Sequence, residues 1–288
     1  MVKAYILNGL GIGCHEECAH AYQKAGADAE IIHIRELLTG AKKLSDCQIL
    51  NMTGGFLHGD NLGAGMCAAN ELEHSIVEDK KLKDMLIAFA DKGNVIYGQC
   101  NGFQLLVKTG LLPGIDNDYS KQTVTLTHND CGSYRVAPVM HGIAQKHFAF
   151  EGVEHYLTLW CRHGEGKLMF HAPGGLVTES EGNATRAWVN ANHTLLRYVN
   201  PKTKEWTDKF PHSPNGSVDG IAGLVNLNGN IFGHMAHTEI SIYKSRGPEW
   251  FAWKEQMRRQ GVKANELDEK MLEGECLKVF KNIVNYVK

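Results

Sequence analysis

The sequence predicts an α/β protein with a mostly parallel central sheet flanked by helices and antiparallel strands added to it. Three observations carry this expectation. Over the first hundred residues, strand-length apolar runs alternate with amphipathic helix-length runs, as a parallel sheet covered on both faces requires. Glycines cluster where those apolar runs stop, at Gly9, Gly11 and Gly13, at Gly54-Gly55, and at Gly98 and Gly102. From Gln122 to His237 the texture changes to short β-like runs separated by Gly, Asn and Pro turns, which suit antiparallel additions to the same domain.

Lys3 to Asn8 reads as a buried strand and the following glycines as a tight turn. Cys14 to Ala25 reads as a helix closing at Gly26, because Gly ends helices in the left-handed conformation. Ala29 to Ile34 is the next strand, and Asp46 to Met52 a third apolar run stopping at Gly54-Gly55. Lys80 to Asp91 is amphipathic at helical spacing and ends near Gly93. Asn94 to Tyr97 is a fourth strand running into Gly98-Gln99-Cys100-Asn101-Gly102, with a helix over Phe103 to Thr109. In the second half Tyr156 to Cys161, Lys167 to His171, Ala184 to Ala191 and Thr194 to Val199 read as β-like runs. Asn200 to Ser217, rich in Lys, Pro, Asn and Ser, reads as an exposed loop. Pro248 to Arg259 and Glu266 to Val287 read as helices, the latter with an apolar stripe of Met271, Leu272, Val279, Phe280, Ile283 and Val284 that suits packing on the sheet. The expected organisation is one domain over 1–245 and a helical extension over 246–288 packed on it.

Bulk composition excludes several classes. At 288 residues and 43% hydrophobic, the chain can build a substantial core. Its 30 Lys and Arg against 32 Asp and Glu leave a net charge of −2, without the cationic excess that nucleic acid demands. Apolar runs stay well short of the roughly 18 to 20 residues that span a bilayer, so no membrane partner is expected. The eight cysteines form no C-x-x-C pair and are scattered through a chain too large to need stapling, which suits reduced thiols in a cytoplasm. Lys3 and the run ending in Gly11-Ile12-Gly13-Cys14 imitate a lipoprotein signal, but the run is short, holds Asn8 and continues as strand, loop and helix.

The chemistry centres on Cys100. A β-rich run before it, a helix after it and glycines on both sides form the setting of a nucleophile elbow, where the chain turns sharply and presents the side chain. The helix N-terminus offers its dipole and free N–H groups to an anionic sulfur. Attack on an amide also needs oxyanion donors and a proton carrier. The N–H of Asn101 and a second from the Gly54-Gly55-Phe56 turn are the donor candidates. Among fifteen histidines, His237 follows the apolar run Gly229 to Gly233 and has Glu239 two residues on. In extended chain that spacing puts both side chains on one face, where the carboxylate can orient the imidazole. A plain strand-end ion pair would have the same spacing.

These pieces together resemble the class I glutamine amidotransferases, and within them the glutaminase component of phosphoribosylformylglycinamidine synthase in purine biosynthesis. The resemblance rests on Gly54 to Gly65, on Gly98 to Gln104 with Gly110 to Gly114, on His163-Gly164-Glu165-Gly166, on Asn215-Gly216-Ser217 with Ile221-Ala222-Gly223, and on Gly229 to Glu239. It spans about residues 1 to 243 and leaves about 45 beyond. It implies a flavodoxin-like three-layer fold, Cys100 as nucleophile, His237 as acid/base and Glu239 as its partner. It implies oxyanion N–H groups from Gly55 and Asn101, and contacts to glutamine from Gly54, Phe56 and Gln104. The 163–166 segment is expected on the face shared with the synthetase. The implied partners are L-glutamine and a separate ATP-dependent synthetase subunit that aminates formylglycinamide ribonucleotide, with a small accessory subunit as a further candidate. No cofactor and no metal are implied. This chain departs from the family pattern at Ala236 and Thr238, where proline is usual, at His58 for the usual Tyr, and at Gln99 for the usual Ile or Val.

Three other readings compete. A cysteine hydrolase of the dienelactone type would pair His237 with Asp219, because such enzymes place the acid before the His. A regulatory or scaffold subunit would keep the fold without turnover. A metal could sit on Cys14, Cys18 and His20, although thiols four residues apart on a helix more often share a packed face.

Overall fold

The computed structural model describes residues 1–170, 179–270 and 273–288. Its first half is a succession of strand and helix: β1 (Lys3–Asn8), α1 (His15–Lys24), β2 (Asp28–His33), α2 (Ile34–Leu38), β3 (Ile49–Met52) and α3 (Met66–His74). A two-residue hairpin, β4 (Ile76–Val77) with β5 (Lys80–Lys81), leads into α4 (Leu82–Asp91), β6 (Val95–Gln99) and α5 (Asn101–Lys108). The second half holds β7 (Val124–Thr127), β8 (Arg135–Ile143), β9 (Tyr156–His163), β10 (Lys167–Phe170), α6 (Glu179–Asn192), β11 (Thr194–Tyr198), β12 (Ile221–Val225), β13 (Ile231–His234) and β14 (Ala236–His237). Three helices close the chain, α7 (Trp250–Arg259), α8 (Ala264–Lys270) and α9 (Glu275–Tyr286).

Ten strands form one sheet in the order β14-β9-β8-β11-β12-β13-β6-β3-β1-β2. From β13 to β2 every pairing is parallel; from β13 to β14 every pairing is antiparallel. The antiparallel additions are therefore as extensive as the parallel part. β1 shows why the middle is buried on both sides. Its Tyr5 and Leu7 join one core with Leu72, Leu86, Phe89 and Leu106 from α3, α4 and α5. Its Ala4 and Ile6 join the other with Tyr22 of α1 and Phe280 of α9. Alternate strand residues point to opposite faces, so a sheet covered by helices on both needs an unbroken apolar run. Tyr22 meets Phe280 edge-on at 5.0 Å between ring centroids, fixing α1 beside α9. Apolar residues 276, 279, 280, 283 and 284 of α9 lie on its buried stripe, the spacing of one helix face.

The 200–217 segment is a loop but not exposed throughout, since Ser213, Asn215 and Ser217 are buried, and two further expectations fail. Ala184 to Ala191 is not a β run but part of α6. Alanines at 184, 187 and 191 favour helix, and Val189 is the one fully buried position from 182 to 192, too few to hold a strand in a sheet. Glu266 to Val287 is not one helix: α8 stops at Lys270 and α9 begins at Glu275 after Gly274. Gly274 is extended, with φ −88° and ψ 161°, so no helix runs through it, and a Cβ there would lie 2.3 Å from the Ser241 carbonyl. Met271, Leu272 and His171 lie outside the described residues. The lipoprotein-like start is strand β1 and helix α1, and no described helix is long and apolar enough to cross a membrane.

Candidate active site

The carboxyl ends of β3, β6 and β13 sit side by side, where open α/β sheets gather their ligands. β6 ends at Gln99, and Cys100 turns the chain into α5 with φ 51° and ψ −109°, a conformation that a side-chain-bearing residue rarely adopts. Its N–H donates to the His234 carbonyl at 2.9 Å, and its own carbonyl accepts from the Gln104 N–H at 3.0 Å. Glycine is obligatory close by. A Cβ on Gly102 would stand 1.9 Å from the Met52 carbonyl oxygen, and one on Gly98 would stand 2.7 Å from the Gly102 carbonyl. The elbow is thus pressed against the end of β3. The Cys100 thiol is buried and lies 3.5 Å from the Arg162 carbonyl of β9.

His237, at the end of β14, brings its imidazole to the same place. A side chain on Gly54 would meet His237 Cε1 at 2.8 Å, Cys100 Cβ at 3.3 Å and Cys14 Sγ at 3.4 Å, so the bare Gly54 leaves open the space these three groups share. His237 Nδ1 and Glu239 Oε1 are 2.5 Å apart, and both side chains are buried. The pair meets for a reason other than the extended spacing expected. Thr238 takes helical angles, φ −74° and ψ −32°, and Glu239 opens a 3₁₀ turn, so a bend brings the carboxylate under the ring. Burial works against the charged imidazole, but the Glu239 carboxylate and the neighbouring Cys100 sulfur overcome it and raise the His237 pKa well above its ordinary value. His237 Nε2 is buried and bonded to no described residue, which leaves it for the reacting groups.

The other predicted residues gather around this pair. Gly55, at φ 149°, packs on the turn after β1, where a Cβ would lie 2.6 Å from the Gly11 carbonyl oxygen. Among the described residues its N–H and that of Asn101 bond to nothing, as oxyanion donors should. The Asn101 side chain instead accepts from the Leu57 N–H at 3.0 Å and so ties the 54–57 turn to the elbow. Phe56 is exposed at the mouth, its ring tilted against Tyr134 at 6.0 Å. Gln104 is buried and fully engaged within the protein: its amide donates to the Glu165 carbonyl, and its oxygen accepts from Asn101 Nδ2 at 3.0 Å. Gln104 thus positions the wall of the pocket in this structure.

That wall is the 163–166 segment, placed from sequence on the synthetase face. Asn129 holds it by donating to the His163 carbonyl at 2.8 Å and accepting from the Gly166 N–H at 3.1 Å, while Asn215 donates to the Gly166 carbonyl at 2.6 Å. Glu165 Oε2 then accepts from the Ala64 N–H at 2.9 Å. Sequence reasoning passed over Asn129, and no local pattern marks it. The competing metal reading of Cys14, Cys18 and His20 does not hold together. Cys18 is buried against Gln99, and His20 bonds the Tyr243 hydroxyl, whereas Cys14 Sγ lies 3.7 Å from His237 Nδ1. The rival acid is elsewhere: Asp219 is engaged by Arg186 and Asn190, and the Arg186 guanidinium holds its pKa below the usual carboxylate value. The His237 partner is Glu239.

A family model for the CobB/CobQ-like glutamine amidotransferase domain matches residues 1–287. The chain belongs to that family. It is 32% identical to phosphoribosylformylglycinamidine synthase subunit PurQ of Methanococcus maripaludis, over 99% of this chain and 97% of that protein. It is 33% identical to the PurQ subunit of Dehalococcoides mccartyi, over 100% and 98%. Among solved structures, a chain of PurLQS from Thermotoga maritima aligns over 100% of this chain and 99% of its own, with TM-score 0.66 at 23% identity, a likeness of fold. The mixed sheet with flanking helices is the class I glutamine amidotransferase fold.

Proposed function

We propose that this chain is the glutaminase subunit of a phosphoribosylformylglycinamidine synthase, hydrolysing L-glutamine to glutamate and ammonia. The ammonia passes to a separate ATP-dependent synthetase subunit, which converts formylglycinamide ribonucleotide to formylglycinamidine ribonucleotide. Full-length similarity to two PurQ subunits supports the assignment. The observation that carries the chemistry is the Cys100 elbow beside His237, whose ring is held by Glu239. Eight free thiols, all among the described residues, suit a reducing cytoplasm.

The Cys100 thiolate attacks the side-chain carboxamide carbon, and the carbonyl π electrons move onto oxygen, where the Gly55 and Asn101 N–H groups receive the charge. His237 gives its Nε2 proton to the amide nitrogen as the C–N bond breaks, and ammonia leaves. Water then attacks the γ-glutamyl thioester, His237 takes its proton, and the C–S bond breaks to release glutamate and regenerate the thiolate. Glu239 keeps Nδ1 protonated and stabilises the imidazolium throughout. Gln104, Asn129 and Asn215 hold the Glu165 wall that faces glutamine.

The test is glutaminase turnover with and without the cognate synthetase and its substrates. Wild type releases glutamate, faster in the complete complex, while Cys100→Ser falls by about 10³-fold or more. Unchanged turnover in Cys100→Ser, or no labelling of Cys100 by a diazo-ketone analogue of glutamine, refutes the proposal.

A further inference from the structure

Glutamine hydrolysis uses Cys100, His237 and Glu239 but has no task for the second thiol in the same pocket. Cys14 stands at the start of α1, half-buried, on the turn anchored by the Gly54 carbonyl, which accepts from both the Gly13 and Cys14 N–H groups at 3.2 Å. Its sulfur, a His237 ring nitrogen and a Glu239 carboxylate oxygen all lie within 4.8 Å of one another. No other set of three such ligand groups is this close among the described residues.

We propose that Cys14, His237 and Glu239 form an inhibitory site for a thiophilic divalent cation of the zinc type. Thiolate, imidazole and carboxylate are the donors zinc prefers. Bonds of about 2.3 Å to sulfur and 2.0 Å to nitrogen at a tetrahedral centre put the two ligand atoms about 3.5 Å apart. Cys14 Sγ and His237 Nδ1 are 3.7 Å apart already. The 2.5 Å contact between Nδ1 and Glu239 Oε1 must open by roughly 0.8 Å to admit the ion, a small carboxylate movement. A second observation points the same way: Glu239 Oε2 is buried and has no hydrogen-bond partner among the described residues, so the carboxylate has donor capacity to spare for a cation.

Cys100 lies across the bare Gly54 and outside this set, so a water completes the coordination. Binding displaces the Cys14 thiol proton and the His237 Nδ1 proton to solvent, and no bond to carbon changes. The metal occupies the nitrogen that Glu239 otherwise keeps protonated. The ring can then no longer remain the imidazolium that delivers a proton to the departing ammonia. Zinc therefore stops turnover by capturing the proton carrier, and a chelator restores it.

The inhibition rests on the glutaminase reading, but the binding does not, and the two arms of the test separate them. In the binding arm, full-length Cys100→Ser protein is titrated with Co²⁺. The expected result is one equivalent bound with thiolate-to-cobalt absorption, displaced by Zn²⁺ and weakened by about tenfold or more in Cys14→Ser/Cys100→Ser. Absorption that is missing in Cys100→Ser, or unchanged by loss of Cys14, overturns the site. In the activity arm, the complete complex is titrated with Zn²⁺. Half-inhibition should need about tenfold more zinc in Cys14→Ser than in wild type, with recovery on adding EDTA. Equal sensitivity overturns the proposal, and wild type without glutaminase activity refutes the glutaminase reading while the cobalt arm still decides the site. If Cys14→Ser does not fold, Cys14→Ala serves in both arms.

Discussion

At the scale of single residues, the site depends on a charge held where water is excluded. His237 is buried, yet Glu239 and Cys100 keep its imidazole protonated. Removing the carboxylate charge should therefore cost catalysis more than binding. Glu239→Gln is expected to lower kcat by about 10² to 10⁴ with little change in KM for glutamine, measured by steady-state glutamate release. The same pair has a pH signature. A histidine whose folded pKa is raised contributes stability in full below about pH 6.5 and loses it as pH rises through the raised value. Wild type should thus lose melting temperature as pH rises above about 7, relative to His237→Gln/Glu239→Gln. A difference between the two proteins that does not change with pH would remove the coupling.

At the scale of elements, two departures from the family pattern turn out to be one device. Tyr22 donates to Asn51 at 3.2 Å, Asn51 donates to Gln99 at 2.9 Å, and the Gln99 amide reaches the Thr238 hydroxyl at 3.4 Å. The Tyr97 hydroxyl joins Thr238 and His234, each at 2.7 Å. This buried chain runs from α1 through β3 and β6 to the bend between His237 and Glu239. Where a proline ring would stiffen the bend, side-chain bonds hold it. Thr238→Val keeps the shape but leaves the Gln99 amide N–H without its partner and Tyr97 with His234 alone, and should cost about 1 to 3 kcal/mol in denaturant unfolding. It should also lower kcat without raising KM, because the bend aims the catalytic ring. A kcat that stays at the wild-type level while stability falls would make the network structural only.

At the scale of the whole molecule, the two faces of the sheet are closed by different stretches of chain. α9 covers one face with Phe280, which touches Tyr22 and lies near Tyr97. Phe280→Ala should destabilise by about 3 to 5 kcal/mol, read from the denaturation midpoint. A loss below about 1 kcal/mol would mean that α9 is dispensable and would separate the 246–288 extension from the domain we propose it completes. Acid stability is also set globally. Burial holds His141 and His147 down at about 4, and His163 and His234 at about 3, so all four are neutral in the folded protein. Because these folded values lie below the unfolded one, their stabilisation is present above about pH 6.5 and fades as pH falls. Each loses on the order of 3 kcal/mol by about pH 4. Unfolding should therefore begin well above pH 4, and His141→Asn should move its onset to lower pH, followed by circular dichroism.

The elbow at Cys100 was legible in the linear chain because its requirements are local: a strand, a glycine on either side and a helix, all within a dozen residues. The alternation of strands and helices up to Thr109 was legible for the same reason, since burial on both faces forces unbroken apolar runs. α6 was misread because a helix with one buried residue from 182 to 192 leaves almost no periodic signal there. Glu239 was named from its two-residue spacing and the resemblance, but a bend at Thr238 is what brings it under His237, and Arg186 engages the rival Asp219; spacing encodes neither. Cys14 came beside His237 only when β1 and β14, more than two hundred residues apart in sequence, delivered their loops to the same end of the sheet. Contacts of that kind follow from strand order, and strand order is fixed by the packing of the whole sheet rather than by any segment of it.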